Sequence, residues 1–251
     1  MPTRHSPWKA AFFAALVASV GSLGLVLGAA QTASADDAVP AAPAAPSAGP
    51  ALTPAAAPQV ADVIGQVQRF YDQSTSFDAD FTQEYWVKQY DVKKESHGHV
   101  TFKKPGKMSW LYAEPVGNRV VSDGQKLKIY EAANKQMYEE DVTASQYPAA
   151  LSFLTGQGKL PDTFDLQLYD GSQMKFPGGW VLVGTPKTPT PAYQKVFFYV
   201  DKATKQVRRV LILDGQGNHN RFDFDKPTVN GKVDDSKFVF VPPPGTSIIH
   251  P

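Results

Sequence analysis

The run from Phe102 to Glu131 constrains this chain more than any other segment. Its apolar residues alternate in short stretches cut by tight-turn residues. That pattern predicts strand, turn, strand, loop, strand, turn, strand. Lys104, Pro105 and Gly106 make the first break, where proline sets φ and glycine accepts a positive φ. Ser122, Asp123 and Gly124 make a later one, and Asp-Gly between apolar runs is a strong hairpin signal. Between the turns, Met108, Trp110 and Tyr112 fall on one parity and Leu111 on the other. A sheet face with so many large apolar groups must be covered by the chain itself, or must hold something else.

The rest of the chain extends this pattern. Val60, Val63, Ile64, Val67, Phe70 and Tyr71 recur at helical spacing and predict an amphipathic helix over 59–73. Phe77, Ala79, Phe81, Gln83, Tyr85 and Val87 then alternate as a strand with one buried face. Further alternations follow at 98–102, 127–129, 137–139 and 164–168, and short strands are predicted near 180–183, 196–200, 207–213, 220–224 and 238–241. Residues 144–155 return to a helical reading around Leu151, Phe153 and Leu154, with Gly156 as the C-cap. The expectation is an α+β fold: one antiparallel sheet of about ten strands, curled toward a barrel or half-barrel, with two helical segments to cover its concave face.

The ends bound the organisation. Arg4 and Lys9 precede an apolar run from Ala10 to Ala30, and Ala33, Ser34 and Ala35 have the form of a signal-peptidase site. Residues 1–35 are therefore read as a cleavable signal peptide, with an uncleaved membrane anchor as the alternative. Residues 36–58 are nearly all Ala, Pro, Ser and Gly and are expected to be a flexible linker. Residues 59–251 are left as one domain with a sizeable core. The chain has no cysteine, so this fold rests on packing without disulfides, and no lipidation cysteine follows the signal sequence. Without Arg4 and Lys9 the charged residues number 23 basic against 24 acidic, a balance that argues against nucleic acid as partner.

Each candidate for chemistry has a plainer reading. His97 and His99 share a strand face and suggest a metal pair, but no third ligand lies near in sequence, so exposed strand histidines are the simpler account. Asp223 and Asp225 alternate with Phe222 and Phe224, as the wet face of a half-buried strand does. There is no G-x-S-x-G serine, and no cysteine to serve as a nucleophile. Gly156, Gln157 and Gly158 lack the rest of a phosphate loop. The expectation is a protein that is no enzyme and needs neither metal nor cofactor. Met108, Trp110, Leu127, Ile129, Leu151, Phe153 and Leu154 read equally well as the lining of a cavity or as solid core.

Four stretches carry a family resemblance. Ser76, Phe77, Ala79, Phe81, Thr82 and Gln83 form an opening S-F-x-A-x-F-x-Q strand. Residues 102–110 form a basic-Pro-x-x-apolar-x-Trp segment, and Val121 to Gly124 with Leu127 and Tyr130 form an S-D-G hairpin. Phe222, Phe224, Asn230, Val233, Phe238, Phe240, Pro243 and Gly245 complete the order. From about Val60 onward the chain resembles the outer-membrane lipoprotein carrier family LolA.

The resemblance implies an incomplete antiparallel barrel closed by helices. It also implies a periplasmic carrier, and the absence of cysteine sets the chain apart from the lipoprotein acceptor that shares the fold. Such a carrier takes acylated lipoproteins from an inner-membrane ABC-type release complex and passes them to an outer-membrane lipoprotein acceptor. A monomer is expected. Met108, Trp110, Leu127, Ile129, Leu151 and Leu154 are then the residues that touch acyl chains, with Lys104 at the rim in a position the family usually fills with arginine. Lysine keeps the charge and loses the planar fork. Ser109 and Lys128 also depart from the family's larger groups. The alternatives are a carrier of another lipid or glycolipid, or a lipid- or protein-sensing envelope module on the same fold.

Overall fold

The computed structural model describes residues 52–142, 153–156 and 158–250. Twelve strands make one sheet: β1 (Ser76–Val87), β2 (Val92–Lys103), β3 (Lys107–Glu114), β4 (Arg119–Asp123), β5 (Lys126–Glu131), β6 (Gln136–Asp141), β7 (Phe164–Asp170), β8 (Gly179–Pro186), β9 (Lys195–Asp201), β10 (Val207–Leu213), β11 (His219–Val229) and β12 (Ser247–Ile249). The order is β12-β6-β5-β4-β3-β2-β1-β11-β10-β9-β8-β7, so the sheet begins at β12 and ends at β7 without closing. Every pairing is antiparallel except β12 on β6. About ten strands were expected, and the open antiparallel architecture is as the resemblance implies.

The turn chemistry works as the residue types dictate. Gly106 and Gly124 both take positive φ, at 68° and 100°. The Asp123 carboxylate accepts from the Gln125 and Lys126 amides at 2.8 and 2.9 Å, which closes the β4–β5 hairpin. In β3, Met108, Trp110 and Tyr112 are buried and Leu111 is exposed. The parity read from the sequence thus separates the inside of the sheet from the outside.

Helix α1 (Ala57–Gln73) starts with proline in its first turn and lays Val63, Val67 and Tyr71 on the inner face of the sheet. The Tyr71 hydroxyl accepts from the Val207 amide at 2.8 Å, beside the register shift in β10. Helix α2 (Leu160–Thr163) is a single turn. Most of the helix read over 144–155 lies outside the described residues; Phe153 to Gly156 form a turn, and Gly156 has φ 76°. Ahead of α1, the Ala55 amide donates to Leu168 O at 2.7 Å on the free edge of β7.

One strand expectation fails. Residues 235–238 make a short 3-10 turn and 239–246 are irregular, where 238–241 read as a strand. Asp234 accepts from the Ser236 amide and sets the turn, and Pro242, Pro243 and Pro244 offer no N–H to a ladder. This segment instead straps the outer face of the sheet. Phe238 is buried, the Lys103 and Lys107 ammonium groups meet Asp235 at 2.7 and 3.2 Å, and Phe240 packs 5.3 Å from the Tyr130 ring. Ser109 is buried on the strapped face, and Lys128 donates to Phe240 O at 3.3 Å.

Gly98 marks a close approach of β2 and β3. A Cβ there would collide with the Leu111 carbonyl oxygen and lie 2.9 Å from Tyr112 Cα, at the register shift between the two strands. Gly98→Ala is expected to lower stability by about 1–3 kcal/mol, read from urea unfolding. An unchanged midpoint would contradict the close packing of this pair.

Candidate functional site

The inner wall is built from neighbouring strands. Register sets Met108 beside Phe102 and Ser122, Trp110 beside Val100 and Val120, and Ile129 beside Val120, while Leu127 faces Ser122 across the β4–β5 pair. Trp110 is the aromatic centre, with ring centroids of Phe81, Phe222, Phe102 and Phe224 at 4.9, 5.2, 5.7 and 6.2 Å. Met108, Trp110, Leu127, Ile129 and Leu154 are all brought into one core and are at most 4% exposed. Leu151 lies outside the described residues.

The hollow is filled by the chain's own covering elements. Phe153 stands edge-on to Tyr71 of α1 and to Phe198 of β9, at 4.9 and 5.3 Å, and Leu154 is buried beside it. Met108, Trp110, Leu127, Ile129 and Leu154 are thus packed as core here: the wall belongs to the sheet, and the filling belongs to a helix and a turn.

Lys104 joins these pieces. Its ammonium donates to Tyr71 O and, at 3.4 Å, to Asp72 O, the carbonyls at the C-terminal end of α1. A cation at that end meets the negative end of the helix dipole, adding to the Ser74 amide, from which Tyr71 O already accepts at 3.1 Å. The stem lies against Gly156, where a Cβ would come within 2.7 Å of Lys104 Cδ. The Gly106 amide donates to Thr155 O at 3.1 Å, and the Lys104 amide donates to Thr75 O at 2.9 Å. Burial pulls the Lys104 pKa below its ordinary value, against the pull of Asp72. The β2–β3 turn, the 153–156 turn and the end of α1 thus meet at one lysine.

Other polar groups do different work. His99 lies between Asp78 and Asp80, at 2.8 and 2.9 Å, and Asp78 also meets Thr101 and Lys237 at 2.7 and 3.2 Å. These bonds tie the C-terminal strap to the outer face. Among the described residues no group of three or more His, Cys, Asp or Glu is arranged to hold a metal. Asp223 pairs with Arg209 and Arg221. It edges an outer groove of about 440 Å³ with Thr82, Asp201, Arg208 and Asp225, whose lining is unlike the apolar inner wall. The buried Tyr112–Gln83–Asn220 chain of hydrogen bonds was not singled out from the sequence. Its signal was Gln83, a polar residue on the buried parity of β1.

The comparisons with known proteins bear on this geometry. The family model described as outer membrane lipoprotein carrier protein LolA matches residues 72–241, more than half of the chain. The chain belongs to the LolA family. It is 29% identical over 189 residues to the outer-membrane lipoprotein carrier protein of Nitrosospira multiformis, covering 74% of this chain and 87% of that protein. The carrier protein of Chromobacterium violaceum is 25% identical over 194 residues, 77% of this chain and 90% of that one. Among solved structures, a LolA-superfamily protein from Nitrosomonas europaea superposes with a TM-score of 0.43 at 11% identity, over 72% of this chain and 97% of that chain.

The His99 cluster makes a pH prediction. Burial lowers the imidazole pKa, the bonds to Asp80 and Asp78 raise it, and the balance is a raised value. The stabilisation is then full below the ordinary histidine value near 6.5 and fades as pH rises through the raised folded value. The loss of urea stability in His99→Gln is expected to be larger at pH 6 than at pH 8.5. Equal losses at both would contradict the charged pairing.

Proposed function

We propose that this protein is a periplasmic carrier that shelters the acyl chains of lipoproteins. In this reading residues 1–35 direct export and are removed, and 36–58 tether the carrier domain. Cargo arrives from an inner-membrane ABC-type release complex and leaves to an outer-membrane lipoprotein acceptor. Met108, Trp110, Leu127, Ile129, Leu151 and Leu154 form the acyl-binding surface, Lys104 is the latch, and the role is binding without catalysis. Membership in the LolA family supports the carrier class. The observation that carries the reading is that a greasy sheet face is covered by α1 and the 153–156 turn, which converge on the Lys104 side chain, the helix end on its ammonium and the turn on its stem.

Burial of an acyl chain contributes about 0.8 kcal/mol per methylene, so one long chain fully sheltered is worth on the order of 10 kcal/mol. Several chains fully enclosed would make release very slow. Exchange resolves the difficulty. The chain displaces Phe153 and Leu154, whose own burial is worth roughly 1.5–3 kcal/mol each, and the net affinity is the difference. Contacts made only in the closed state, such as those of Lys104, then set the balance between empty and loaded carrier.

Lys104→Met removes a charged hydrogen-bond donor from the closed state and is expected to shift the balance toward loaded carrier by roughly tenfold. Lys104→Arg is expected to stay near the original. The measurement is the molar ratio of acylated protein that co-purifies with the mature chain, with the bound species identified by mass. Unchanged occupancy in Lys104→Met would contradict the latch. Recovery of a glycolipid or a non-acylated protein in place of lipoproteins would overturn the cargo.

A further inference from the structure

One end of the inner face is polar. In register across β2, β1 and β11, the row of Gly98, Phe81 and Phe224 is followed by Ser96, Gln83 and Phe222. The Tyr112 hydroxyl donates to Gln83 Oε1 at 3.0 Å, and Gln83 Nε2 donates to Asn220 Oδ1 at 2.9 Å, all three side chains being buried. Ser96 stands beside Gln83 on the same face, 1% exposed, and its hydroxyl has no hydrogen-bond partner among the described residues. The Trp110 indole N–H is equally buried and equally unpartnered there, although its ring packs on Phe222 of this same row. Buried donors left without acceptors are costly and uncommon, and two of them on one apolar wall call for an explanation.

We infer that this row recognises the carbonyl oxygen of an acyl ester or amide. The inference rests on the carrier reading and specifies which part of the acylated cargo is read. Indole N–H donates only, and the serine hydroxyl donates as well as accepts, so the missing partner is an acceptor. The Tyr112–Gln83–Asn220 chain beside Ser96 is uncharged and the wall around Trp110 is apolar, so a neutral acceptor suits both groups; a carboxylate or phosphate would lose much of its hydration on entering. A hydrocarbon tail offers nothing to either group. An ester or amide carbonyl would satisfy either group, and a diacylated cargo carries more than one.

The position also fixes an orientation. Past Ser96 and Gln83 the half-buried Lys94 and Tyr85 lead toward solvent. In the other direction the apolar wall runs from Ser96 to Phe102, about 20 Å at roughly 3.3 Å per strand residue. The acyl linkage sits at the polar row and the tail points toward Met108 and the Lys104 turn.

The test uses the mature chain and two lipids of equal chain length, 1,2-dipalmitoylglycerol and its ether-linked dihexadecyl counterpart, each displacing a fluorescent fatty acid. The original protein is expected to bind the ester about tenfold more tightly, the worth of one hydrogen bond. Ser96→Ala is expected to lose most of that preference while unfolding at no lower a temperature, since it removes an unsatisfied hydroxyl. Trp110→Phe should also reduce the preference, and if it fails to fold, Ser96→Ala decides alone. Equal affinity of the original protein for both lipids would overturn the inference, as would a full preference surviving in Ser96→Ala. Failure to bind either lipid would remove the carrier reading and this inference with it.

Discussion

A wide sheet with one apolar face cannot leave that face in water, and the rest of this structure follows from how the face is covered. The strands alternate so strictly that Phe81, Val100, Phe102, Met108, Trp110, Leu127, Ile129, Phe198, Phe222 and Phe224 all point to one side. Closure of the sheet on itself would bury them permanently. Here the ends are β7 and β12, which do not pair with one another, and cover comes from α1 and the turn at Phe153 and Leu154. Covering elements that belong to short, local pieces of chain can leave without unfolding the wall. That difference separates a solid core from an exchangeable one.

The wall and its cover differ in how they are held. Wall strands are joined by long backbone ladders, and the outer face is tied by ion pairs and by the C-terminal strap through Lys103, Lys107 and Lys237. The cover is held by packing, by the Tyr71 hydroxyl on the Val207 amide, and by Lys104 on the last carbonyls of α1. Lysine at this position is a point charge on a flexible stem, whereas an arginine would be a planar fork. The helix end needs only a cation near two carbonyls, which an ammonium provides. Gly156 gives the stem room to lie flat.

Much of the wall was legible in the sequence because strand periodicity is a local property. Asp123-Gly124 and Pro105-Gly106 fixed the turns, and the parity of Met108, Trp110 and Tyr112 against Leu111 identified the buried face. The helix over 59–73 was legible for the same reason, within two residues of its start. The C-terminal strap was not, since Phe238 and Phe240 alternate like a strand, while the Asp234-capped turn at 235–238 and the prolines after Val241 deny them a ladder. Strand β12 was missed because Ser247–Ile249 is too short to display a period. At the site, apolar bulk could be read, but its division into wall and filling could not, because that depends on which distant segments meet. The convergence of Lys104, Tyr71 and Gly156, and the pairing of Gln83 with Asn220, are products of tertiary contact and leave no spacing in the chain.

The central claim is that fatty chains occupy the inner wall in place of the protein's own cover. Photo-leucine at Leu127, which is buried on that wall, and at Leu111, which is exposed on the opposite face, tests it most directly. Irradiation of the mature protein in the periplasm should yield adducts to the acyl groups of lipoproteins from position 127 and none from position 111. Adducts from position 111 alone, or none from position 127 in a carrier that still co-purifies with lipoproteins, would contradict the account.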